Sequence, residues 1–281
     1  MNKIKKIDSK EVGLASAIIF GKYFFKTNDL HYGYWPDGLK VDISNITIAQ
    51  ENHSGLILSA IPPEVKSVLD VGCGAGSLAS RLIAKGYSVD CVSPSSILTN
   101  EAKKLVDNKC EFFESTYEQV ETDKKYDIVI FSESFQYIHL ANAMQQTVKF
   151  LKPGGYMLIC DFFKTDAVGE SALGGGHDLK EFYSTVVKYP FQLQKDTDIT
   201  KQTAPNLALI DDMLKQVGHP IWNMLFDFIH SRHPFLYGIL LWKFKKKIAK
   251  INKKYFSGER NADNFARFKS YRLMLYKKTL Q

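Results

Sequence analysis

The chain has 281 residues, 45% of them hydrophobic, enough to build a full core in one domain with an elaboration. Its net charge of +7 is unevenly placed: residues 221–281 carry 14 Lys or Arg against 3 Asp or Glu, which leaves the first 220 residues net acidic by 4. A disulfide scaffold and a membrane-spanning protein are both excluded: the cysteines at 73, 91, 110 and 160 lie in or beside apolar segments without metal-ligand spacing, and the longest late apolar run, Pro234 to Trp242, is too short to cross a bilayer.

The N-terminus is Lys-rich, and Gly21 and Lys22 interrupt the apolar stretch from Ile18 to Phe25, so no secretory leader is expected and the protein reads as cytoplasmic with reduced thiols. Apolar residues at helical spacing predict helices over Glu11 to Lys26 and Ser44 to Ala60, the second ending at Pro62-Pro63. Strand and helix patterns then alternate. A strand over Ser67 to Val71 leads to a helix over Ser77 to Lys85, a strand over Ser88 to Val92 to a helix over Ser95 to Val106, and a third strand covers Cys110 to Phe113. Next come a strand over Tyr126 to Phe131, a helix over Leu140 to Leu151, a Lys-Pro-Gly-Gly turn at 152–155 and a strand over Tyr156 to Asp161. This series predicts an α/β fold with a doubly wound, mostly parallel sheet. Beyond it lie a helix over Leu179 to Val187, a strand over Phe191 to Lys195, an aromatic and basic helical stretch from about Thr200 to Asn264, and a last strand over Tyr271 to Tyr276.

The most informative phrase is Val68-Leu69-Asp70-Val71-Gly72-Cys73-Gly74-Ala75-Gly76. An apolar strand, a glycine turn and a helix start let the backbone approach a nucleotide cofactor closely. The dinucleotide fingerprint needs a further glycine where Ser77 stands, which weakens a nicotinamide reading, and a purely structural glycine turn is the plainer alternative. The phrase resembles motif I of the class I S-adenosylmethionine-dependent methyltransferases. In that family the turn at Gly72, Cys73 and Gly74 lies against the cofactor, and the carboxylate of Asp70 organises its methionine end.

Other segments resemble the tocopherol, sterol and cyclopropane fatty acid synthase subgroup of that family. Leu30-His31-Tyr32-Gly33-Tyr34-Trp35 is similar to its HYGYW element, which implies that Tyr32 and Tyr34 grip the cofactor; a hydrophobic plug against the sheet is the competing reading. Gln50 matches a glutamine seen on the next helix there. Ser93 stands where a ribose-binding carboxylate is usual, which leaves ribose recognition open, and alternation turns Asp90 away from the cofactor. Thr116 takes the position that contacts adenine, with Tyr117 beside the ring; a polar loop with a half-buried tyrosine is an equal alternative. The phrase Phe131-Ser132-Glu133-Ser134-Phe135-Gln136-Tyr137-Ile138-His139 is similar to the subgroup's SES-x-x-H segment. It implies Ser132 on the cofactor side, and Glu133, Tyr137 and His139, with His31, as acid or base candidates, although a lone His after a helix start is more often a surface residue.

The resemblance implies a Rossmann-like seven-stranded sheet with N-terminal helices and a helical cap inserted near the C-terminus, its last two strands forming an antiparallel hairpin. The expected parts are 1–60 (N-terminal helices and aromatic lid), 61–200 with 265–281 (core) and 201–264 (substrate cap), although a helical appendage that merely packs on the sheet fits the same pattern. Expected chemistry is methyl transfer from S-adenosyl-L-methionine, without a metal, to a small hydrophobic or lipid- or carrier-linked acceptor at oxygen, carbon or nitrogen. Trp222, Phe226, Phe235, Trp242 and Phe244 suit a greasy acceptor pocket, and Lys243, Lys245, Lys246, Lys247 and Lys250 suit an acyl carrier protein or a membrane surface, with peripheral attachment. The chain lacks the Asn/Asp-Pro-Pro-aromatic phrase of enzymes that methylate flipped bases, so an RNA or DNA methyltransferase is the weaker reading, beside a non-catalytic cofactor-binding protein. Oligomeric state is left open.

Overall fold

A computed structural model describes residues 9–169 and 171–279, with residues 9–11 described in backbone only. The Lys-rich first eight residues and the last two residues of the expected core lie outside the described residues. Two helices precede the sheet. Helix α1 (Ser9–Phe20) runs into a wider turn, Gly21–Phe25, closed by Lys26 at φ 55°, so the regular helix is shorter than its apolar pattern predicts. Helix α2 (Ile46–Ser59) follows.

The sheet is built from β1 (Ser67–Val71), β2 (Ser88–Val92), β3 (Phe112–Phe113), β4 (Tyr126–Ser132), β5 (Leu151–Lys164), β6 (Phe191–Asp198) and β7 (Lys269–Lys278). Their order is β3-β2-β1-β4-β5-β7-β6. The first five strands are parallel, and β7 runs antiparallel between β5 and β6. The mostly parallel seven-stranded sheet and its closing hairpin are therefore as expected. Helices α3 (Ser77–Ala84), α4 (Ser96–Leu105), α5 (Leu140–Phe150) and α6 (Leu179–Val186) cover its faces. Local chemistry starts them: Ser95 Oγ accepts from Leu98 N at 3.3 Å, and Asp178 Oδ1 from Glu181 N at 2.9 Å, two N-caps.

Period-two alternation divides the core. Val68, Ile128, Ile130 and Leu158 face one cluster with Ile57 and Leu82, while Leu69, Val129, Phe131 and Ile159 face another with Phe135, Phe150 and Phe182. All four cysteines are free thiols, and Cys73, Cys91 and Cys160 are buried.

Two strand expectations need correction. Strand β3 is only Phe112–Phe113, without Cys110. The glycine-rich 152–155 stretch is not a turn but the irregular start of β5, with a register shift opposite Tyr126 and Ile128; a Cβ on Gly155 would lie 3.0 Å from Asp127 O, so glycine serves a close backbone approach. Between β6 and β7 the chain inserts α7 (Thr200–Thr203), α8 (Pro205–Met213), α9 (His219–Arg232), α10 (Pro234–Ile251) and α11 (Ala262–Phe268).

Candidate active site

Strand order reverses at β1, which pairs with β2 on one side and β4 on the other, and a parallel sheet opens a crevice beyond its carboxyl ends at such a point. A cavity of about 570 Å³ lies there. Its walls come from the 70–75 turn, the ends of β2 and β4, residues 116–118, and Asn28 to His31.

The first wall is shaped by glycine. Gly72 has φ 77°, and a Cβ on it would sit 2.3 Å from Ser134 Cβ, so the turn presses directly on the loop after β4. Ser134 Oγ donates to Val71 O, and Gly72 N donates to Val92 O at 2.8 Å, which ties the turn to both neighbouring strands. Gly74, at φ 56°, has no atom within 4 Å of its would-be Cβ, and bare backbone faces the crevice there. At the foot of this turn Asp70 is 1% exposed, and its Oδ2 has no hydrogen-bond partner. Burial alone pushes its carboxyl up to about 7.

Ser93 and Ser95 form the β2 wall, and no carboxylate stands at that strand end. Asp90 points away, as alternation predicts: its Oδ2 accepts from Lys124 Nζ at 2.8 Å and from Tyr126 OH at 2.9 Å. Thr116 also lines the crevice. Tyr117 does too, but its ring is held in the core, with the hydroxyl 3.0 Å from Thr147 Oγ1 and the ring edge-on to Phe131, which corrects the expectation of a ring free to lie beside a base.

The β4 end supplies Ser132, Glu133, Ser134, Tyr137 and Ile138. Glu133 takes a left-handed φ of 51°, a strained conformation for this residue type. Its Oε1 accepts from Tyr32 N and from Tyr271 OH, both at 2.7 Å. Burial raises its pKa, although the His31 charge and these two donors favour the ionised form. Asp161 behind it is pushed up to about 8, by burial first and by the Glu133 charge second, despite donors from Gln136 and Phe162. Tyr137 stands 65% exposed over the crevice.

A buried polar chain runs behind these walls. Arg81 grips Asp29 through two bonds of 2.9 and 2.8 Å; burial disfavours the Asp29 carboxylate, but His31 first and Arg81 second hold its carboxyl below the usual range. His31 Nδ1 meets Tyr32 O at 2.8 Å, and Nε2 lies 3.3 Å from Asp29 Oδ1. Burial disfavours the imidazolium, but the Asp29 hydrogen bond and the charges of Asp29 and Glu133 outweigh it and raise the pKa. Nε2 also lies 3.2 Å from Ser54 Oγ, so both ring nitrogens of His31 are engaged by protein groups.

His31 stacks at 4.5 Å on His53, which burial and that neighbouring charge keep neutral. Tyr271 donates its one proton to Glu133, so His53 Nε2, 2.9 Å away, must donate to the Tyr271 oxygen; His53 Nδ1 is then left without a partner. Asp29, Ser134, His53 and Tyr271 were not singled out from the sequence. Asp29 alone had a signal, its place two residues before His31.

Four other expected groups lie away from the crevice walls. His139 is exposed and marks the start of α5, its main-chain N donating to Glu118 Oε1 at 3.3 Å, and it does not line the crevice. Tyr32 and Tyr34 do not line it either: the Tyr32 ring packs on Phe162, Phe265 and Tyr271, and Tyr34 N donates to Ala49 O at 2.7 Å. The aromatic element is mainly a plug, stitched to α8 by Asn206, whose side chain bonds Gly33 N at 2.8 Å and Gly33 O at 2.7 Å. Gln50 reaches backbone instead, donating to His31 O at 2.9 Å. The aromatic residues of α9 and α10 wall no part of the crevice, because those helices pack on each other. Among the described residues no group of three His, Cys, Asp or Glu side chains could hold a metal.

Comparison with known proteins agrees with this geometry. A family model described as a methyltransferase domain matches residues 51–192. A ubiquinone biosynthesis O-methyltransferase of Rickettsia akari (strain Hartford) is 34% identical over 149 residues, 47% of this chain and 58% of that protein; the chain thus spans little more than half the length of that relative. Among solved structures, a putative sarcosine dimethylglycine methyltransferase from Galdieria sulphuraria superposes with a TM-score of 0.67 at 16% identity, covering 94% of this chain and 98% of that one. Geranyl diphosphate C-methyltransferase from Streptomyces coelicolor A3(2), in complex with Mg²⁺, geranyl diphosphate and S-adenosyl-L-homocysteine, gives 0.65 at 14% identity, covering 98% and 100%. These two likenesses carry the fold.

Proposed function

We propose, since the chain belongs to the methyltransferase-domain family, that it moves a methyl group from S-adenosyl-L-methionine to a hydroxyl oxygen of a small, hydrophobic, lipid-like acceptor. The observation that carries the reading is Asp70, a buried carboxylate oxygen without a partner at the foot of a bare glycine turn. A cationic ammonium placed there would lower the carboxyl's pKa and relieve its burial cost, so the residues present fit the amino-acid end of that cofactor. Gly72, Cys73 and Gly74 would hold its backbone-facing side, Ser93 its ribose, Thr116 its base, and Ser132 the edge nearest the acceptor. When bound, the cofactor supplies a methyl on a positively charged sulfur.

The chain's own residues have two tasks. They must align the acceptor and exclude water, and they must take the hydroxyl proton. Glu133 is the base: it lines the crevice, burial raises its pKa toward neutrality, and Tyr32 N and Tyr271 OH fix one of its oxygens. Tyr137, exposed beside it, positions the acceptor. An oxygen acceptor is favoured over carbon or nitrogen by the Rickettsia relative, an O-methyltransferase of ubiquinone biosynthesis.

On this reading the chain divides into N-terminal helices with the aromatic plug (1–60), a core (61–200 with 265–281) and an inserted helical part (201–264). The basic, aromatic insertion is where a membrane surface or an acyl carrier protein would present a lipid-like acceptor, and a cytoplasmic protein attached at the membrane edge follows. No described helix is long and apolar enough to cross a membrane. Titration calorimetry with S-adenosyl-L-methionine, followed by incubation with polyprenyl phenols and mass detection, tests the reading. Binding with a product heavier by one methylene is expected. Absence of binding defeats it, and binding without turnover on any cell extract points to a non-catalytic protein.

A further inference from the structure

We propose that the hairpin of α9 and α10 docks on an anionic bilayer and enters it tip first. No residue of either helix is buried. The inward aromatics are satisfied within the hairpin: Trp222 packs on Phe226 at 4.9 Å, and Tyr237 on Phe226 and His230 at 6.2 and 4.5 Å. A second set is left outside. Phe235 and Trp242 are 82% and 83% exposed, with Phe228 and Ile239 also exposed. Phe235, Ile239 and Trp242 share one face of α10, and continuing that face leads to Lys246 and Lys250.

The occupant must match exposed aromatics next to the Arg232-His233 turn, followed by a basic stem. Helix α10 contains no Asp or Glu, so a second copy of this chain would bring like charges together. An acidic carrier protein would answer the lysines but leave the exposed aromatics without an apolar partner. A bilayer with anionic headgroups answers both: lysine ammoniums sit among phosphates while aromatic and aliphatic side chains enter the acyl boundary. Length decides how deep. Phe235 to Trp242 spans about 10 Å of helix, which suits interfacial insertion and falls far short of the roughly 30 Å hydrocarbon core.

The proposal rests on this surface alone and stands whether or not the acceptor reading is correct, so its test uses no turnover. The full chain is sedimented with vesicles of phosphatidylcholine, and of phosphatidylcholine mixed with phosphatidylglycerol. Binding to the mixed vesicles only, a blue shift of tryptophan emission, and at least a tenfold loss of partitioning at high salt are expected. Phe235→Ser with Trp242→Ser, and separately Lys246→Glu with Lys250→Glu, should each weaken vesicle binding about tenfold or more while circular dichroism stays unchanged. Failure of the parent to bind mixed vesicles overturns the proposal. So does binding that neither pair of substitutions affects, binding to an acidic carrier protein in place of vesicles, or a dimer in sedimentation that Phe235→Ser with Trp242→Ser dissolves.

Discussion

The crevice and the inserted hairpin lie in one chain but are held by different physics. Behind the crevice the polar groups are linked in chains: Arg81, Asp29 and His31 form one set, and His53, Tyr271 and Glu133 another, stacked against it through the two imidazoles, while Asp70 Oδ2 is left without a partner. The hairpin of α9 and α10 buries no residue and is joined mainly to itself. Buried polar networks fix geometry because each unmade bond is costly, whereas an exposed amphipathic element keeps its shape and leaves its surface for a partner. The lesson is that rigidity sits where reacting atoms must be aligned and adhesive surface where they need not be.

The sharpest way to break this contrast is at the base. Glu133→Gln should lower methyl transfer to a hydroxyl by about a hundredfold to a thousandfold while calorimetry shows the cofactor bound nearly as before. If turnover survives, the crevice aligns its acceptor without a general base. Next in size is the glycine turn. Gly72→Ala adds a left-handed penalty to a clash with Ser134 and should cost about 3 kcal/mol in urea unfolding, whereas Gly74→Ala, with open space around its would-be Cβ, should cost about 1 kcal/mol. Equal losses would mean that the two glycines share one role.

A third test uses pH. Asp70 and Asp161 titrate near 7 and 8 in the folded protein, well above ordinary aspartate, so the folded chain keeps protons that the unfolded chain has released. Their contribution to stability is therefore complete below about pH 4 and is lost as pH rises through 7 to 8. Asp70→Asn should raise the stability of the cofactor-free protein at pH 8 by about 2 kcal/mol and weaken cofactor binding, as seen in paired melts and calorimetry. No gain at alkaline pH would show that the carboxylate is better solvated than its position indicates. The smallest effect belongs to the hairpin: Trp242→Ser should change unfolding free energy by no more than about 0.5 kcal/mol, since the ring gives up little burial on unfolding.

The strands of the sheet and the glycine turn were legible in the sequence because each is written locally, in strand periodicity, in the spacing of Gly72, Gly74 and Gly76, and in Asp70 just before them. What was not legible depends on distant partners. Tyr271 meets Glu133 across 138 positions, and Asn206 meets Gly33 across 173, and neither pairing leaves a trace in spacing. His139 was a candidate through the likeness of its segment to SES-x-x-H, yet it stands exposed at the start of α5. Tyr32 and Tyr34 have the residue types for gripping a cofactor, but Gly33 lies so close to α2 that a Cβ there would come within 2.5 Å of Ala49, and the segment packs as a plug. The separation of the aromatic helices from the crevice was also hidden, because an amphipathic pattern names a sticky face and not what it adheres to.

Strand β7 lies between β5 and β6, so the late-made strand occupies an interior place in the sheet. During synthesis β6 would emerge with no neighbour to pair with, and Glu133 would lack the phenol that later restrains it. A chain halted before residue 269 lacks β7, and with it both the pairing partner of β6 and the Tyr271 bond to Glu133. The strand that closes the sheet and restrains Glu133 is thus the last of the seven to leave the ribosome.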